Sequence, residues 1–75
     1  TIVYPVPARD FLIVEPEDLS GVLLAELFDV RGNIILSENI TGINTKINLS
    51  GLDSGLYLLK ITAGDQIAYR KIIRL

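Results

Sequence analysis

Apolar and polar residues alternate with a period of two along most of this chain, and that period is the signature of β-strands with one buried face. The cleanest case runs through Ile43, Thr45, Ile47 and Leu49, interleaved with Asn44, Lys46, Asn48 and Ser50. It predicts a strand wet on one side. Val22 to Asp29 reads the same way, with Leu23, Ala25 and Leu27 on one face and Leu24, Glu26 and Phe28 on the other. Leu56 to Ile61 places Tyr57, Leu59 and Ile61 on one face and Leu56, Leu58 and Lys60 on the other. Phe11-Leu12-Ile13-Val14 and Ile34-Ile35-Leu36 are shorter strand-sized runs.

Turn residues fall between these runs. Asp29-Val30-Arg31-Gly32-Asn33 predicts a hairpin turn in which Gly32 or Asn33 takes a positive φ. Asn39 to Gly42 is a second turn, and Ala63-Gly64-Asp65 is a tight hairpin. Glu15 to Gly21 is a loop with turn residues at both ends. Tyr4-Pro5-Val6-Pro7 follows a β-prone Ile2-Val3-Tyr4. Its prolines cannot donate to a ladder, so it is expected to be an edge segment or a crossover. The last stretch, Gln66 to Leu75, has mixed parity, with apolar and basic residues on both faces. A bulge or an edge position would reconcile that with a strand.

About seven short strands with no helical period predict an all-β, seven-stranded Greek-key β-sandwich of the immunoglobulin-like kind. Its expected core is Leu23, Leu27, Ile47, Leu49, Tyr57, Leu59 and Ile61. Leu52-Asp53-Ser54-Gly55-Leu56-Tyr57 resembles the tyrosine corner of such sandwiches, where a hydroxyl bonds back to the backbone just upstream. In that arrangement Leu52 plugs the core and Gly55 takes a backbone angle that a β-carbon resists. The same residues also suit a plain buried strand whose tyrosine is only core.

Composition narrows the chemistry. Seventy-five residues make one domain with a thin core. There is no cysteine or histidine, so disulfides, Cys-His and Ser-His nucleophiles and the usual zinc and haem ligands are excluded. No catalytic, cofactor or metal site is expected. Glu15, Glu17 and Asp18 cluster in a loop, but their spacing matches no EF-hand. The net charge of −2 and the lack of a basic patch interleaved with aromatics argue against nucleic acid. Sugar-binding sandwiches offer exposed tryptophans, which this chain lacks. Its aromatics, Tyr4, Phe11, Phe28, Tyr57 and Tyr69, are mostly expected in the core. No apolar run approaches the roughly 20 residues that cross a bilayer. Asn39-Ile40-Thr41 and Asn48-Leu49-Ser50 match the glycosylation sequon, a pattern common by chance.

Charge is unevenly placed. Six of the nine acids precede position 30, while Lys60, Arg70, Lys71 and Arg74 make the closing end basic. Such faces can simply keep a sheet soluble, or a basic last strand can be offered to a partner. The chain starts at Thr1 and contains no methionine, so it is expected to be a piece of a larger protein.

Four segments together carry a family resemblance. Tyr4-Pro5-Val6-Pro7-Ala8-Arg9-Asp10 resembles the Tyr-Pro-Asn-Pro-Ala-Lys-Asp opening of the type A C-terminal sorting domains of the type IX secretion system. Leu27-Phe28-Asp29-Val30-Arg31-Gly32 is similar to that family's central hairpin. Ile47 to Tyr57 resembles its segment leading into Gly-x-Tyr, and Arg70-Lys71-Ile72-Ile73 its closing lysine and strand. Val6 departs from the family's asparagine, which removes any polar role there.

The resemblance implies an immunoglobulin-like domain, residues 1–75, at the end of a Bacteroidetes cargo protein. It implies a signal recognised in the periplasm that directs the cargo across the outer membrane. A shuttle and a sortase-like peptidase are the implied partners. Removal of the domain, with attachment of the cargo at the cell surface, is the usual outcome. The marked family positions are Pro5, Pro7, Gly32, Gly55, Tyr57 and Lys71. Leu52, Arg70 and Arg74 join them as expected recognition residues. A passive immunoglobulin-like spacer or adhesion module of a bacterial surface protein is the alternative.

Overall fold

The computed structural model of the chain describes residues 2–5, 7–16, 23–41 and 44–75. Val6, the loop acids Glu17 and Asp18, and the expected strand starts at Val22 and Ile43 lie outside the described residues. The described residues form seven strands and no helix: β1 (Ile2–Tyr4), β2 (Phe11–Glu15), β3 (Leu23–Phe28), β4 (Ile34–Asn39), β5 (Thr45–Asn48), β6 (Gly55–Ala63) and β7 (Gln66–Arg74). They build a three-stranded sheet in the order β1-β2-β5 and a four-stranded sheet in the order β4-β3-β6-β7. All ladders are antiparallel. The chain changes sheet between β2 and β3, between β4 and β5, and between β5 and β6. Those crossings make an immunoglobulin-like Greek key.

The alternation seen in the sequence sets the layers. Leu12 and Val14 of β2 and Ile47 of β5 are fully buried on the small sheet, with Leu49 just beyond. Facing them are Leu23, Ala25 and Leu27 of β3, Tyr57, Leu59 and Ile61 of β6, and Ile72 of β7. Every residue expected in the core is there. Ala8, Leu12, Val14, Ala25, Ile40 and Ile72 join them. A three-stranded layer cannot cover a four-stranded one, so β4 and β7 overhang at the edges. Ile34 pairs with outward-facing Phe28, and Ile35 falls at the register shift beside it on the edge strand, so both are exposed despite their apolar run. The overhang explains the mixed parity of the last strand. β7 pairs with β6 in unbroken register from Gln66 to Arg74, so no bulge is involved and the edge position accounts for the pattern.

The aromatics correct an expectation. Among the five, only Tyr57 is buried in the core. Tyr4, Phe11 and Tyr69 are exposed, and Phe28 is half-buried. Each of the four stands on the outward parity of its strand. Tyr4 donates its hydroxyl to Glu15, which pushes the Tyr4 hydroxyl pKa above its ordinary value. Phe11 lies under the Lys46 ammonium, 4.7 Å from its ring centre.

The β3–β4 turn is ordered by one carboxylate. Asp29 Oδ1 accepts the N–H groups of Arg31 and Asn33, each at 2.9 Å, and Gly32 N–H closes the turn onto the Asp29 carbonyl at 3.1 Å. Gly32 takes φ +88°, the left-handed conformation that ends this three-residue loop. The Asn33 N–H, more than any other group, holds the Asp29 carboxyl below the ordinary aspartate pKa, with Arg31 adding to it. A lowered folded pKa contributes stability above the unfolded pKa, and that contribution is lost as pH falls through the folded value. The Asp29 carboxyl should therefore titrate below a model aspartate by NMR, and the Arg31 and Asn33 amides should shift with it. Asp29→Ala should speed hydrogen exchange at both amides and abolish the titration.

Candidate recognition surface

Two surfaces gather the residues singled out in the sequence. The first joins the two ends of the domain. After the cis Tyr4-Pro5 peptide, the chain leaves the small sheet and crosses to the end of β7. Ala8, fully buried, donates its N–H to the Ile73 carbonyl at 2.7 Å and accepts the Leu75 N–H at 2.8 Å, a parallel bridge. Arg74 reaches back across the same seam. Its Nε donates to the Leu49 carbonyl at 3.0 Å, and its outer nitrogen lies 3.9 Å from Asp10. Pro5 and Pro7 are exposed beside this seam. The opening and closing motifs thus meet, with Arg74 as the tie between the sheets.

The second surface is a shallow apolar groove on the outside of the four-stranded sheet. Phe28, Leu56, Leu58, Lys60, Tyr69 and Lys71 form its floor and rim, closed at one end by Gly32 of the hairpin. Tyr57 lies beneath it. Leu58 stands between Phe28 of β3 and Lys71 of β7 in register, and Lys60 stands between Glu26 and Tyr69. Gly32, Tyr57 and Lys71, far apart in sequence, therefore border one site. Leu52 and Gly55 do not. They belong to the corner beneath, where Leu52 is half-buried against the core. The Tyr57 hydroxyl donates to the Asp53 carbonyl at 2.6 Å, which makes the expected tyrosine corner. Gly55 opens β6 at φ +151°. A β-carbon there would meet nothing within 4 Å, so the requirement is one of backbone angle rather than space.

Phe28, Leu56, Leu58, Lys60 and Tyr69 were not singled out as site residues. Their signal was present in the second face of β6, which reads Leu56, Leu58, Lys60 and is too apolar for a face meant only for water.

Taken together, the described residues form a two-layer sandwich with an apolar groove, an exposed edge strand and a knitted pair of ends. The chain belongs to the secretion system C-terminal sorting domain family, whose model matches residues 2–74. This is the family of type IX secretion C-terminal sorting domains that the four motifs resembled. The chain is also 35% identical over 72 residues to beta-agarase D of Zobellia galactanivorans, a match that covers 95% of this chain and 14% of that protein. The chain thus spans about a seventh of that relative's length. Family membership makes the domain a type IX secretion signal, a non-catalytic tag for export across the outer membrane to the cell surface or the medium. It does not favour the passive-spacer alternative.

Proposed function

We propose that these residues are the last domain of a larger cargo protein and are read in transit through the periplasm by the type IX machinery. A shuttle then carries the cargo to a sortase-like peptidase, which removes the domain and attaches the cargo at the cell surface. The observation that carries this reading is the family match over residues 2–74 on an intact sandwich. Its readable features lie outside, on edges and turns, as a signal recognised by proteins requires. Arg70, Lys71 and Arg74 supply a basic end for that recognition. Pro5, Pro7 and Gly32 shape the seam and the hairpin around it, and Leu52, Gly55 and Tyr57 hold the frame.

The test is a fusion of the domain to a periplasm-directed fluorescent reporter in a bacterium that has the secretion system. Surface display of the reporter is expected, with accumulation in the periplasm when the domain is omitted. Equal display with and without the domain would end the reading. Removing Lys71 to Leu75 is a poorer test, because it also removes the fully buried Ile72 and the Arg74 tie. Charge reversal at exposed Lys71 separates recognition from folding. Mass spectrometry of the displayed product should find its C-terminus upstream of Tyr4.

A further inference from the structure

The groove on the four-stranded sheet runs out to the edge formed by β7, and that edge is built to accept a strand. The Ile73 carbonyl and the Leu75 N–H point away from β6, since both bond Ala8. In an antiparallel ladder the outward peptide groups recur every second residue. The N–H groups of Ile67, Tyr69 and Lys71 therefore point outward too, as do the carbonyls of Ile67 and Tyr69. The Tyr69 carbonyl also accepts a hydrogen bond from the Arg70 guanidinium at 2.9 Å. Among the described residues, only Ala8 pairs with this edge, and it does so at the far end. Ile67 to Lys71 offers roughly 17 Å of unpaired edge at about 3.3 Å per residue.

The residues whose peptide groups face the open edge also carry their side chains on the groove face. Ile67, Tyr69 and Ile73 are each about half exposed there, beside Leu56 and Leu58. A partner strand would thus meet main-chain groups and an apolar surface at once. Charge then selects the partner. Lys60 has Glu26 as its cross-strand neighbour. Lys71 has Leu58 beside it and Tyr69 and Ile73 along its strand, and the acid that lines the same groove, Asp29, spends its carboxylate on the Arg31 and Asn33 amides of the hairpin turn. A second copy pairing antiparallel over Ile67–Lys71 would set each Lys71 opposite Ile67 and bring no carboxylate to it, so self-pairing leaves that charge unmatched.

We propose that a partner protein reads this domain by adding a β-strand to β7 over Ile67–Lys71, with apolar side chains against Ile67 and Tyr69 and a carboxylate on Lys71. The proposal rests on the sorting reading and specifies the surface through which the signal is recognised. Arg70, an exposed guanidinium over an edge carbonyl, guards the edge against indiscriminate pairing and is displaced by the incoming strand.

Two measurements test it. In the first, two synthetic peptides as long as β7 are added to the purified chain; both alternate threonine with an apolar face of valines, and the position on that face that meets Lys71 is glutamate in one and lysine in the other. The glutamate peptide should bind and slow hydrogen exchange at the Ile67, Tyr69 and Lys71 amides by about tenfold. The lysine peptide should not, and Lys71→Glu should reverse the preference. Protection at the β4 or β1 edge instead, equal binding of both peptides, binding of neither, or the same protection from self-association alone would overturn the proposal.

In the second, the reporter fusion carries Ile67→Ser with Tyr69→Ser, or Lys71→Glu. Display should fall about tenfold while circular dichroism and the melting transition stay those of the parent, because all three side chains are exposed. Phe11→Ser, on the outside of the other sheet, should display normally. Wild-type display with undiminished display of the groove variants removes the docking site and leaves the sorting function standing. Failure of the wild-type fusion removes the sorting function itself.

Discussion

Leu59→Ala is expected to cost about 3 kcal/mol or more of folding stability, because truncating a fully buried leucine loses both its transfer energy and the packing around the cavity left behind. Leu59 is wholly buried near the middle of β6, the strand that pairs with both β3 and β7. Opposite it in register stands Leu27, also wholly buried. A domain of this size has only about 4–11 kcal/mol of total stability to lose. The urea midpoint should therefore fall by roughly 2 M or more with little change in slope. Leu58→Ala is the matched control. It removes the same side chain one residue away on the exposed face, and should change stability by less than about 0.5 kcal/mol. Similar effects at both positions would mean that the inward and outward faces of β6 are wrongly assigned.

That pair also shows how far the sequence reaches. The parity of Tyr57, Leu59 and Ile61 against Leu56, Leu58 and Lys60 is local, and a period of two says which residues share a face. The strands, the hairpin at Gly32, the turn at Gly64-Asp65 and the corner at Tyr57 were all legible for this reason. Each depends on residues within a few positions of one another. Parity does not say how much of each face is covered, which depends on the width of the opposing sheet. Ile34, Ile67 and Ile73 are exposed because they stand on the outer face of the four-stranded sheet, and Ile35 because it falls at a register shift in the edge strand β4; no window of the sequence contains that information. The aromatics were misplaced for the same reason. Ring size argues for burial, but Tyr4, Phe11 and Tyr69 stand on outward faces that no second layer of the described residues covers. The groove is assembled from β3, β6 and β7, and only the register of those strands puts Phe28 next to Leu58 and Leu58 next to Lys71.

A signal domain has a particular physical requirement. It must present the same edge and groove each time it is read, without cross-links and with a core of little more than a dozen side chains. The Arg74 tie and the Ala8 bridge serve this by fixing the free end of β7, the strand that carries the basic residues. The tyrosine corner serves it from the other side by fixing the start of β6, on which β7 is built. The groove is thus framed by two local devices, and loosening either should blur the edge before it unfolds the core.

The tyrosine corner gives the second large effect, and its parts can be separated. Tyr57→Ala is expected to cost about 3–4 kcal/mol, since it removes a buried ring from the core. Tyr57→Phe keeps the ring and deletes only the hydroxyl that donates to the Asp53 carbonyl, at a cost of about 1–2 kcal/mol for the lost bond and the unpaired acceptor. The acceptor is a backbone oxygen, so Asp53→Ala leaves the bond in place. With an exposed side chain, that substitution should change stability by less than about 0.5 kcal/mol. The expected order is alanine at 57, then phenylalanine at 57, then alanine at 53, read from denaturant melts of the three variants. Hydrogen exchange should follow it locally, with Tyr57→Phe loosening the amides of the Ser54–Leu56 turn before those at the centre of β6. If Asp53→Ala costs as much as Tyr57→Phe, the tyrosine is held by the aspartate side chain rather than the backbone, and the corner is not the device that anchors β6.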